Sequence, residues 1–148
     1  MKNRGHITGF YLETLLLIVV FIAIILVITQ VFGVGKAQST EARLLTNAVT
    51  LAQNAAEAFY AAEDEADLIT LLNENGNTGA LPEDGRNGAV AYYKADMTPE
   101  PGPGYRLIVR VEWTEQDSLR NGTVFVTDAE SRKTVYTLSL CKDTEVTP

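Results

Sequence analysis

The chain has 148 residues, 46% of them hydrophobic and 21% charged, with a formal net charge of −7 at neutral pH. That length holds one ordinary domain beside one membrane-scale segment, and a single cysteine, Cys141, excludes an intrachain disulfide. From residue 37 onward nine Lys/Arg stand against eighteen Asp/Glu, which excludes nucleic-acid binding through a general basic surface.

The first nine residues, MKNRGHITG, carry Lys2 and Arg4, no acid, and the only histidine, His6. Residues 10–32, FYLETLLLIVVFIAIILVITQVF, follow, and 15–28 contain no polar side chain. As a helix this stretch would span about 35 Å, enough for a hydrocarbon core of about 30 Å. The basic flank predicts a cytoplasmic N-terminus and an exported C-terminal part. One acid, Glu13, falls in the first turn. A carboxylate inside an apolar helix costs about 3 kcal/mol unless it stays hydrated at the boundary or meets a cation. Two explanations stand: hydration at the cytoplasmic interface, or a charge supplied by a neighbouring subunit.

The leader MKNRGHITG, Gly9 before the aromatic Phe10, Glu13, and the run LLLIVVFIAIILVI together resemble the prepilin family. That family comprises type IV pilins and the pseudopilins of type II secretion and DNA-uptake machines. The resemblance covers roughly the first sixty residues. It implies cleavage after Gly9 by a prepilin peptidase and N-methylation of the new N-terminal Phe10. It also implies an assembly charge at Glu13, which would pair with the amine of an adjacent subunit as helices stack into a fibre. The family places its acid at the fifth mature position; counted from Phe10, Glu13 is the fourth and Thr14 the fifth. The implied partners are further pilin subunits, the peptidase and membrane lipid, with no cofactor and no small-molecule substrate.

Two other readings use the same residues. Residues 15–28 suit the apolar region of a secretory signal, with Gly35 and Ala37 spaced like a signal-peptidase site and a mature start at Gln38. Alternatively the chain is an unprocessed single-pass protein whose acidic extracytoplasmic domain binds a partner.

Beyond Gly33-Val34-Gly35 the chain reads STEARLLTNAVTLAQNAAEAFYAA. Ser39 or Thr40 can cap a helix here. Leu45, Ala48, Ala52, Ala55, Phe59 and Ala62 recur at intervals of three and four, predicting one apolar stripe. Asn47, Gln53, Asn54 and Glu57 fall opposite. A nearly continuous helix over 10–62 is expected, in a transmembrane half to 32 and an amphipathic half over 33–62, with the glycines as a place for a kink.

The remainder, 63–148, is expected to form a globular head. The acidic run 63–67 suits the start of a short helix over 63–73, ended by Asn75-Gly76. Residues 73–88, NENGNTGALPEDGRNG, read as loop. Their acids and carbonyls could take Ca²⁺, but the spacing does not fit an EF-hand loop, and turn chemistry explains them without a metal. Four strands are predicted after that: 90–97; a long one with Tyr105, Leu107, Val109, Val111 and Trp113 alternating; 123–127; and 133–140. Asn121-Gly122 gives the two-residue signal of a tight hairpin between the second and third. Asn121-Gly122-Thr123 also matches the N-glycosylation sequon, though the turn would explain it without sugar. The expected fold is α+β: a long N-terminal helix packed on a small antiparallel meander.

The constellations of catalysis are missing. One histidine, in the leader, permits no His triad or His-metal cluster, and Cys141 has no histidine to activate it. Acid pairs such as Glu83-Asp84 fall in turn-like runs. A non-enzymatic structural protein is expected.

Overall fold

The structure is a computed structural model and describes residues 4–81 and 86–144. Helix α1 runs over Arg4–Ala61, 58 residues without a break. Then follow α2 (Glu65–Leu72), β1 (Thr78–Ala80), β2 (Asn87–Tyr93), β3 (Leu107–Gln116), β4 (Leu119–Asp128) and β5 (Lys133–Asp143). The fold is α+β, a long N-terminal helix packed on an antiparallel sheet of spatial order β1-β2-β3-β4-β5. The chain divides into two compact units, Met1–Ala42 and Arg43–Pro148.

The first unit is helical in all its described residues. The glycine pair does not interrupt it: residues 33–35 are helical, and a Cβ on either glycine would meet nothing within 4 Å. Each glycine costs about 1 kcal/mol in a helix interior, a penalty borne here by a helix that continues on both sides and so needs no new nucleus. Nor does a new helix begin at Ser39 or Thr40, since the Thr40 hydroxyl donates back to the Lys36 carbonyl at 3.0 Å.

In the second unit the predicted stripe is buried at Ala48, Ala52, Ala55, Phe59 and Ala62, joined by Leu51, Ala56 and Ala58. Leu45 departs from it and is exposed, while Leu44 packs against the core in its place. Alanines let the helix backbone approach the sheet closely. The facing sheet surface is the inward parity of three strands: Ala89, Ala91 and Tyr93; Leu107, Val109, Val111 and Trp113; Gly122, Val124 and Val126. Leu68 and Leu72 of α2 close one end of this core.

Helix α2 is shorter than expected. Asp64 caps it by accepting from the Asp67 amide at 2.8 Å, and Asp67 returns the favour by accepting from the Glu63 amide at 3.0 Å. The first bond satisfies an amide that the helix start leaves open, and the second ties down the residue before the cap. Asn75 and Gly76, both at positive φ, turn the chain after it.

Three strand expectations are corrected. The sheet has five strands, not four: Thr78–Ala80, inside the stretch read as loop, pairs with residues 89–91 of β2. Asn77 creates this edge: its carbonyl accepts from the Tyr92 amide at 3.0 Å, and its side-chain amide donates to the Tyr92 carbonyl at 3.1 Å. The first long strand is Asn87–Tyr93 rather than 90–97, because Lys94 and Met97 close a turn instead. At its start only glycine fits at 88, where a Cβ would lie 2.0 Å from the Val111 carbonyl oxygen.

The third correction concerns Asn121-Gly122, which is not a turn. It lies within β4, with Asn121 opposite Thr114 and Gly122 opposite Trp113. The hairpin is at Asp117-Ser118, between the paired Gln116 and Leu119, with Asp117 at φ 52°. Gly122 is needed for a different reason: a Cβ there would sit 2.7 Å from the Phe59 ring. Strands β3 and β4 therefore run to ten residues each, and β5 extends past its predicted end to Asp143.

Candidate functional site

Gly9, Phe10 and Glu13 lie together on α1, within its first turns. Backbone hydrogen bonding within the helix places Phe10 one turn below Glu13 and Thr14. The Phe10 ring is 68% exposed and stands 6.4 Å, edge-on, from that of Tyr11. Glu13 is exposed and has no ion-pair partner among the described residues. A side chain on Gly9 would meet nothing within 4 Å.

Beyond these residues, toward Val34, the helix surface is apolar. From Phe10 to Val34 the large hydrophobic side chains are all exposed. The most apolar window of the helix has a mean hydropathy of 3.2 and no buried residue, so α1 is long and apolar enough to cross a membrane. Its hydroxyls are satisfied internally: Thr14 donates to the Phe10 carbonyl at 2.9 Å and Thr29 to that of Ile25 at 2.8 Å. That suits a medium without water, where every donor needs a partner. Glu13 has no such local solution.

No protein-family model, curated protein or solved structure matches the chain. The reading of the site therefore rests on its own chemistry.

In the second unit the sequence analysis missed a cluster at the end of α1. The helix has no basic residue in its last turn, yet its end is met by two cations from the sheet. Arg120 donates to the Ala62 carbonyl at 3.4 Å and to the Glu63 carbonyl at 2.8 Å, and Lys142 donates to the Ala62 carbonyl at 2.8 Å. Arg120 and Lys142 are register partners across β4 and β5. The Arg120 guanidinium also lies 5.2 Å from the Trp113 ring centroid and bonds Glu115 at 2.7 Å. Cations at a helix C-terminus answer the orphan carbonyls and the negative end of the dipole. A signal was present: Arg120 and Lys142 fall on the inward parity of their strands, two residues from Gly122 and Leu140, where a charge needs a buried partner.

A second ionic group closes the β4–β5 turn. Asp128 is buried and accepts from Arg106 at 2.5 Å and from the amides of Glu130 and Ser131 at 3.2 and 3.3 Å. Burial alone would raise its carboxyl; the Arg106, Ser131 and Glu130 hydrogen bonds outweigh that and hold it below the ordinary carboxylate value. Asp96, bonded to Thr98, and Glu100, bonded to the Gly102 amide and Lys94, are lowered in the same way. Among the described residues no three His, Cys, Asp or Glu converge on a metal-sized space. The pair Glu83-Asp84 lies outside the described residues.

Proposed function

We propose that this chain is a structural subunit of a pilus-like or pseudopilus assembly, inserted in the membrane by α1, clipped after Gly9 and polymerised through that helix. The supporting observation is a single carboxylate, Glu13, three residues past Gly9-Phe10 on a helix surface that is otherwise bare and apolar. Such a surface is stable in lipid or against copies of itself. Glu13 would be costly in either place without a cation. In the proposed assembly the new amine of Phe10 on a neighbouring subunit supplies it. The apolar half is held in the bilayer with the N-terminus cytoplasmic, and the acidic head is exported, until subunits stack and helix-to-helix contact replaces lipid.

The test is Glu13→Ala, scored by the amount of sheared or pelleted fibre and by electron microscopy. Assembly should fall below a tenth of the parent level while the head keeps its circular dichroism. Unchanged assembly would sink the proposal. It would favour the second reading, an unprocessed single-pass protein with an acidic extracytoplasmic binding domain. The placement of Glu13 fourth from Phe10, one short of the family's position, is the feature that keeps that reading in play.

A further inference from the structure

Asn121-Gly122-Thr123 sits in an element that its composition does not suit. Asn and Gly are depleted in strands, and Asn-Gly is a turn signal. Yet these residues occupy β4, with β3 on one side and β5 on the other. Gly122 is explained by the Phe59 ring against its α-carbon. Asn121 has no such reason. Its side chain is exposed on the face away from α1, and its register partners Thr114 and Cys141 are exposed as well. Thr123, two residues on, falls on the same face. Places where local preference is violated with no packing return are where functional positions are looked for first. Asn, any residue but proline, then Thr is the acceptor sequence for N-linked sugar, which requires the amide and the hydroxyl two residues later.

We propose that Asn121 is the acceptor of an N-linked oligosaccharide, with Thr123 as the hydroxyl residue of its acceptor sequence. This rests on the reading in which the head is exported. The donor is a lipid-linked oligosaccharide whose first sugar is bonded through C1 to a phosphate. The C1–O bond to phosphate breaks and the phosphate leaves with the electron pair. A bond forms from C1 to Asn121 Nδ2, which gives up one proton; nothing is oxidised or reduced. Strand β4 is hydrogen-bonded on both edges, so transfer precedes the closing of the sheet. Once the sheet has formed, the modified side chain points to solvent and the glycan needs no space in the core.

The test uses the full chain from its native membranes. Intact masses are measured for the parent, Asn121→Gln, and Thr123→Val, which removes the hydroxyl and keeps the β-branched shape. Cys141, directly across from Asn121, reports in parallel through labelling of intact cells with a membrane-impermeant maleimide. The parent should carry an excess of whole sugar residues that both variants lose, and Cys141 should label several-fold faster in the variants. An excess that survives Thr123→Val overturns the proposal. So does a bare parent chain whose Cys141 labels from outside, which leaves export standing. A Cys141 that labels only after lysis overturns export, and the glycan with it.

Discussion

Two halves of one helix meet two kinds of surroundings, and their side chains differ accordingly. Over residues 10–34, α1 carries Leu, Ile, Val and Phe on all sides, every one exposed. Over residues 48–62 its buried face is mostly alanine, with Leu51 and Phe59 as the only large side chains. Both halves are apolar, but size separates them. Alanines allow a sheet to approach the backbone, and the packing is made specific by one large ring, Phe59, set against Gly122 and 6.1 Å from the Trp113 ring. Branched and long side chains all round present no unique partner face, which suits lipid or a bundle of like helices. Hydrophobicity alone therefore does not say what a helix packs against; the distribution of side-chain volume around it does.

The contrast can be broken most severely at Phe59. Phe59→Ala should cost the head about 3–5 kcal/mol by leaving a cavity between α1 and the sheet. Denaturant unfolding of the full chain in detergent, followed by Trp113 fluorescence, measures it. An effect under 1 kcal/mol would mean that the ring is not the anchor.

Arg120→Met should cost about 1–3 kcal/mol in the same assay, because the carbonyls of Ala62 and Glu63 lose a charged donor while Trp113 keeps an apolar neighbour. Lys142 still reaches the Ala62 carbonyl, so Lys142→Met in the Arg120→Met background should cost more than in the parent.

A smaller effect concerns acid. Asp128 is held below the ordinary carboxylate value in the folded head. A depressed folded value contributes stability that is fully present above the unfolded value, about 4, and is lost as pH falls through the folded one. Head stability should therefore drop below pH 4, and Asp128→Asn should flatten that drop while lowering stability at neutral pH. An unchanged acid limb in the variant would remove Asp128 from the account.

The smallest effect should come from the other half of the helix. Ile22→Ala, on the exposed surface, should change head stability by less than about 0.5 kcal/mol. A larger change would show that the apolar half supports the head after all.

What could be read without coordinates follows the range of the interactions involved. The alternation of Leu107, Val109, Val111 and Trp113 is local, and all four are buried on one face as expected. The stripe through Ala48, Ala52, Ala55 and Phe59 is local too. Gly9, Phe10 and Glu13 form a local pattern as well, and the structure places all three on α1. Asn121-Gly122 misled because the turn preference of the dipeptide says nothing of the Phe59 ring, which comes from far earlier in the chain and packs where a Gly122 side chain would be. Strand β1 was hidden because Thr-Gly-Ala has no pattern of its own and is ordered by Asn77 against Tyr92. The cations at the end of α1 come from strands far along the chain, so no search of the helix itself could find them.

The measurement that tests the central claim most directly is N-terminal peptide mass spectrometry on the chain recovered from its native membranes. A chain that starts at N-methylated Phe10 is the predicted result and makes the exposed helix with Glu13 an assembly surface. An intact Met1 terminus, in cells whose prepilin peptidase is active, would contradict it and leave a membrane-anchored head. A start at Gln38 would contradict it as well, because the apolar half would then have been discarded.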